Sequence, residues 1–137
     1  MKNAKNAKNA RNSSQEKLRE FVRGEARDGW SEDTDPDDYE WTLEWLPTRA
    51  LVAAMSGGRR GWSKWYEEER GGRGGRSEEY WDELERLWVR DPELVGRIIV
   101  VERGRGLFDI GDGWHRTAIS VVAGMHVVPA IVGRPIE

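Results

Sequence analysis

The sequence predicts an α+β fold, and three observations carry that prediction. Tyr39 to Leu46 alternates with period two and is rich in aromatics, the pattern of a half-buried strand. Ser77 to Arg90 places Tyr80, Trp81, Leu84, Leu87 and Trp88 on one helical face. From Arg97 to Val132 there follow a strand, a turn, a second strand, an apolar helix and a last strand. A length of 137 residues suits one domain with a single core.

Composition excludes several classes. No cysteine is present, which removes disulfides, thiolate metal sites and cysteine nucleophiles. A net charge of -3 argues against a uniformly basic nucleic-acid binder. The charge is laid out in blocks: residues 25–45 carry nine acidic side chains against one basic, and 46–76 carry seven basic against three acidic. Such blocks are expected either to neutralise one another in the fold or to mark mobile tails, the second fitting the first dozen residues. Thr117 to Gly133 is uncharged but is broken by Gly124, His126 and Pro129 and is too short to span a bilayer. The basic N-terminus has no apolar stretch behind it, so no secretory signal is visible. A soluble, cytoplasmic protein without a membrane partner is expected.

Element by element, residues 1–12 repeat Lys-Asn-Ala without a large apolar side chain and read as a disordered basic tail. Residues 13–38 read as a short helix and an acidic linker. Ser13-Ser14-Gln15-Glu16 resembles a capping box opening a helix over Lys17 to Ala26. Glu32 to Asp38 lacks the glycine and terminal glutamate of a calcium loop and reads as the linker. In the strand from Tyr39, one face carries Tyr39, Trp41, Leu43 and Trp45, and the other Glu40, Thr42 and Glu44. Pro47 then opens a short helix with Leu51, Val52, Ala54 and Met55.

Residues 57–76 form a Gly/Arg-rich insert around Trp62, Trp65 and Tyr66, expected as a mobile loop about a small aromatic helix. Arg59, Arg60, Arg73 and Arg76 could there contact nucleic-acid phosphates while the aromatics stack on bases. Ser77 caps the next helix, Asp91-Pro92 stops it, and its tryptophan stripe is assigned to the core. Ile98 to Val101 is unbroken and apolar, a strand buried on both faces. Leu107 to Ile110 is the next strand.

The candidate site follows it, Gly111-Asp112-Gly113-Trp114-His115-Arg116-Thr117. A glycine-flanked turn from strand into helix leaves backbone N–H groups at the positive end of a helix dipole, where phosphate binds. Arg116 adds a fork for phosphate oxygens and is expected to face solvent. His115, near a helix start, is expected to stay neutral and to donate a hydrogen bond or shuttle a proton. Asp112 could hold magnesium or orient the histidine.

Asp112-Gly113-Trp114-His115-Arg116-Thr117-Ala118, then Gly124, then Val128-Pro129-Ala130-Ile131-Val132, resembles the signature of the ParB/sulfiredoxin-like superfamily. The resemblance extends over about residues 39–133 and makes 39–137 one domain with the insert at 57–76. It implies a small domain with a mixed sheet packed by helices, binding a nucleotide with the motif turn at its phosphates. Activities in the superfamily include nucleotide switching in chromosome segregation, phosphorylation of free serine, nuclease-like action and ATP-dependent repair of oxidised cysteine. The last is set aside, because Trp114 stands where sulfiredoxins carry their cysteine. The chain closes at Glu137, just past the last strand, where segregation proteins continue into a helix-turn-helix, so a partition role is not expected. The Asp-Gly-x-His-Arg form is nearer to the serine-kinase and phage-borne members.

The resemblance therefore implies a nucleotide hydrolase or phosphotransferase using ATP or CTP with magnesium. Gly111, Gly113, Arg116 and Thr117 would bind the nucleotide, Asp112 the metal, and His115 with Asp112 would serve catalysis. Glu44 and Glu40 are candidate bases because such a strand lies near the motif in the family. The alternative is a non-catalytic accessory factor binding nucleic acid or a protein partner, or a ParB-like nuclease.

Overall fold

The computed structural model describes residues 4–26 and 34–136, the side chains of 4–12 excepted. Among these residues the chain forms α1 (Ala4–Glu25), β1 (Tyr39–Pro47), α2 (Arg49–Val52), α3 (Gly58–Glu68), α4 (Glu78–Arg90), α5 (Pro92–Val95), β2 (Ile98–Glu102), β3 (Phe108–Asp112), α6 (Trp114–Ala123) and β4 (Val127–Pro135). The strands make one mixed sheet in the order β1-β4-β2-β3. β4 runs antiparallel to β1 and parallel to β2, and β2 pairs antiparallel with β3. The α+β class read from the sequence is the class observed. No described helix is long and apolar enough to cross a membrane.

β2 fixes the middle of the molecule. Its four β-branched residues, Ile98 to Val101, are all fully buried, because both sheet faces are covered. On one face Ile98 and Val100 meet Ile110, Val128, Ala130 and Val132 under α3, α4 and α6, whose Trp62, Trp81, Trp88 and Ile119 fill the layer. On the other face Ile99 and Val101 join Tyr39, Trp41 and Ile131 under Val22 and Ala26 at the end of α1. Burying large aromatics in this way removes their apolar area from water at roughly 25 cal/mol per Å².

α1 departs from the expected capping box. Ser13 to Glu16 lie inside the helix, and Gln15 works across space instead: its amide donates to the Trp41 carbonyl and accepts from the Trp41 N–H, both at 2.7 Å. The tail expected over residues 1–12 lies outside the described side chains, and Glu32 and Asp33 lie outside the described residues. Asp35 caps a single turn over Pro36–Asp38, and Arg23 binds Asp37 at 3.0 Å. β1 keeps its alternation only where α1 covers it. Tyr39 and Trp41 are buried, whereas Leu43 and Trp45 are exposed and Leu46 joins the core on the opposite face.

The Gly/Arg insert, expected as a mobile loop about a small aromatic helix, holds a longer helix, Gly58–Glu68. α3 is held by Trp62, fully buried with its indole N–H donating to the Val52 carbonyl at 3.1 Å. Gly61 is required there, since a Cβ would strike the Ser56 carbonyl. A π-helical turn over Glu69–Arg73 leads on toward α4. Arg70 pairs with Asp82 and Glu85, and the Tyr66 hydroxyl donates to Glu85 at 3.0 Å. The basic and acidic blocks of the sequence thus neutralise each other where α4 meets the insert.

Candidate active site at the start of α6

β3 runs two residues further than the sequence suggests, so Gly111 and Asp112 are strand residues. A bulge in the β2–β3 register leaves Gly111 between the pairs Ile99–Asp112 and Val100–Ile110. Gly113 then turns the chain with φ +108°, and a Cβ there would lie 2.5 Å from Ile98 Cγ2. Only glycine meets both demands. Gly113 is the N-cap of α6 and offers no capping side chain; the first intrahelical bond runs from the Thr117 N–H to the Gly113 carbonyl at 2.9 Å. The N–H groups of Trp114, His115 and Arg116 therefore have no intrahelical acceptor. They lie at the positive end of a ten-residue helix.

A cavity of about 690 Å³ opens at this turn. Gly111 to Arg116 line one wall, Gly96 and Arg97 the approach to β2, Arg76 and Tyr80 the start of α4, and Phe21 and Glu25 come from α1. The motif thus meets residues from three distant parts of the chain.

His115 sits in a box of rings. Trp81 lies 4.6 Å from it between centroids, Trp65 and Tyr80 each 5.8 Å, and the Tyr80 hydroxyl is 3.1 Å from Nδ1. Burial lowers its pKa, with Arg76 and Arg116 adding to the effect and Glu69 and Asp112 opposing it, so the neutral imidazole is favoured, through burial first rather than through the helix start. Tyr80 occupies Nδ1 and leaves Nε2 for a ligand. The indole N–H of Trp81, fully buried beside the imidazole, has no hydrogen-bond partner among the described residues.

The other predicted residues separate. Arg116 does not face solvent: its side chain is 15% exposed, and it donates to the Gly96 carbonyl at 2.8 Å, the Arg97 carbonyl at 3.3 Å and Asp112 Oδ2 at 3.0 Å. It pins β2 to the motif turn and supplies charge to the cavity wall. Asp112 is tied to Arg116, and it is Tyr80 that orients the histidine. Thr117 is fully buried with its hydroxyl bound to the Gly113 carbonyl at 2.8 Å, so it stabilises the helix start and does not reach the cavity. Glu44 and Glu40 are not brought to the turn, because β4 and β2 separate β1 from β3. The Glu44 carboxylate is bound to Arg134, which also reaches Glu102 at 2.8 Å, and the Arg134 hydrogen bond holds its pKa below the usual value.

The four arginines of the insert divide as well. Arg73 is bound to Glu68 and Glu69, and Arg76 turns to the cavity with its guanidinium 4.8 Å from the Tyr80 ring centre. Arg59 and Arg60 remain on the exposed side of α3. Sequence reasoning placed Trp81 in the core, where it lies fully buried, but missed Tyr80, which lines the cavity, as a site residue. A tyrosine inside a tryptophan and leucine stripe was the available signal, since its hydroxyl needs a partner. Comparisons with family models, with curated proteins and with solved structures give no match to this chain.

Proposed function

We propose that this cavity binds a nucleoside triphosphate, ATP or CTP, and that the protein hydrolyses it or transfers a phosphoryl group. One observation carries the reading: the uncapped start of α6 opens into a cavity whose lining cations include Arg76, which makes no ion pair among the described residues. Arg97 and Arg116 line the same wall but are held by Glu93 and Asp112. A volume of this size suits a small-molecule ligand.

The backbone N–H groups of Trp114, His115 and Arg116 receive phosphate oxygens, Arg76 neutralises charge at the mouth, and neutral His115 bonds a phosphate or leaving-group oxygen through Nε2. Phosphoryl transfer depends mainly on positioning and charge neutralisation, which this set supplies. Among the described residues no group of three or more His, Asp or Glu could hold a metal. Magnesium would arrive on the phosphates, with Asp112 contributing the carboxylate oxygen that Arg116 leaves unused, and would supply further neutralisation of phosphate charge.

Thermal melting with ATP, CTP, GTP and ADP, with and without magnesium, tests the reading. A ligand at ~100 times its dissociation constant stabilises the fold by roughly 2.7 kcal/mol. Arg76→Ala should weaken that binding by about 1.5–3 kcal/mol, the scale of a charge-assisted hydrogen bond. Melting curves unmoved by every nucleotide would overturn it.

A further inference from the structure

Between Glu44 and Glu67 the chain carries Arg49, Arg59, Arg60 and Lys64 and no acidic residue. The fold turns that stretch into a surface. All four cations are exposed, Arg49 on α2 and the others on the outer side of α3, whose inner side carries Trp62, Trp65 and Tyr66 into the core. Arg60 and Lys64 stand one helical turn apart. None of the four makes an ion pair among the described residues, whereas Arg70, Arg73, Arg97, Arg103, Arg116 and Arg134 are each held by a carboxylate.

The start of α3 works against its own dipole. Gly57 gives no side-chain cap, the first turn has no acidic residue, and Arg59 and Arg60 stand where carboxylates are favoured. This is a positive face, four exposed cations against Glu67 at its far end, on a protein of net charge -3.

We propose that the α2–α3 face binds nucleic acid through its phosphates. Exposed cations without ion pairs, on two elements in contact, match the repeated negative charge of a phosphate backbone. A lipid surface fits poorly, because the outer positions of α3 (Arg59, Arg60, Ser63, Lys64 and Glu67) include no apolar side chain to insert. This inference does not rest on the nucleotide reading, since none of the four cations lines the cavity.

Fluorescence anisotropy of the full chain with a labelled single strand and with the matching duplex, over a salt series, tests it. Four phosphate contacts give a slope of log affinity against log salt of roughly 3–4 in magnitude. The variant Arg59→Ala/Arg60→Ala/Lys64→Ala should lower that slope by about 3 and weaken binding at low salt by at least about tenfold. Arg60→Glu alone serves the same purpose should the triple variant lose its fold. Arg90→Ala/Arg105→Ala removes two other exposed cations and should leave affinity unchanged. Binding of the folded triple variant within about twofold of the parent, an equal loss in the Arg90/Arg105 control, or no binding of either oligonucleotide at low salt would overturn the proposal.

Discussion

Gly113 faces two separate constraints, a positive φ and the Ile98 side chain against its α-carbon, and it sets the direction of the first turn of α6. Gly113→Ala should destabilise the protein by about 2 kcal/mol or more, read as a lower urea midpoint, because strain and overpacking add at one position. Arg116→Ala should also lower stability, by about 1.5–3 kcal/mol, since it removes charge-assisted bonds to two carbonyls and Asp112. A urea midpoint equal to the parent's would show that the guanidinium does not pin β2. His115 gives a pH dependence with a definite sign. Burial lowers its folded pKa below 6.5, so the unfolded chain takes up the proton first. Stability is therefore full above about pH 6.5 and falls as the pH drops through the folded value. Urea titrations from pH 7 to 5 should show that fall in the parent and a flatter response in His115→Gln. The Glu44–Arg134 bond adds a second, lower window, in which stability is lost as the pH falls below the usual carboxylate value of 4.5.

Elements were legible where local signals agreed with burial. β2 announced itself by four β-branched residues in a row, and α4 by its periodic face, the Ser77 cap and the Asp91-Pro92 stop. α3 was legible only as a small aromatic helix within a loop, because Gly57, Gly58 and Gly61 lower local helix propensity; tertiary burial of Trp62 and the close approach at Gly61 override it and extend the helix over Gly58–Glu68. The half-covered β1 was misread for the opposite reason: alternation reports which residues share a face, and the length of α1 over that face decides which of them are buried. At the site, the turn from Gly111 to Arg116 was visible as a motif, but its partners Arg76, Tyr80 and Trp81 come from another element, and no local pattern encodes that encounter. Gln15 illustrates the same limit, being a helix residue whose amide satisfies the exposed edge of β1 at Trp41. Gln15→Leu keeps the helix and most of the volume while removing both bonds. It should cost about 1–2 kcal/mol and speed hydrogen exchange at the Trp41 amide. Unchanged exchange there would show that α1 does not protect that edge.

At the scale of the whole molecule, the sheet keeps its two charged regions apart. The Glu44–Arg134–Glu102 network includes the edge strand β1, while the cavity opens beside β3, the strand at the opposite edge. β1 therefore supplies no base to the cavity, whose titratable groups are His115, Tyr80, Asp112 and Glu25 beside its arginines; of these, only His115 sits in the aromatic box at the start of α6. That makes His115 the residue that separates an enzyme from a binder. His115→Asn keeps a hydrogen-bonding side chain, whose amide can replace Nδ1, 3.1 Å from the Tyr80 hydroxyl in the parent. If His115 serves phosphoryl transfer, the variant should retain the nucleotide-induced rise in melting temperature while turnover per folded molecule falls by roughly 10² or more, the scale of losing a positioned acid–base or hydrogen-bonding group. Tyr80→Phe should act on the same step more mildly, shifting the pH profile of turnover because it frees Nδ1 without removing the imidazole. Turnover in His115→Asn equal to that of the parent would confine His115 to the packing of the aromatic box. A parent protein that binds nucleotide but turns none over, with or without added serine or DNA, would leave the cavity a binding site without catalysis.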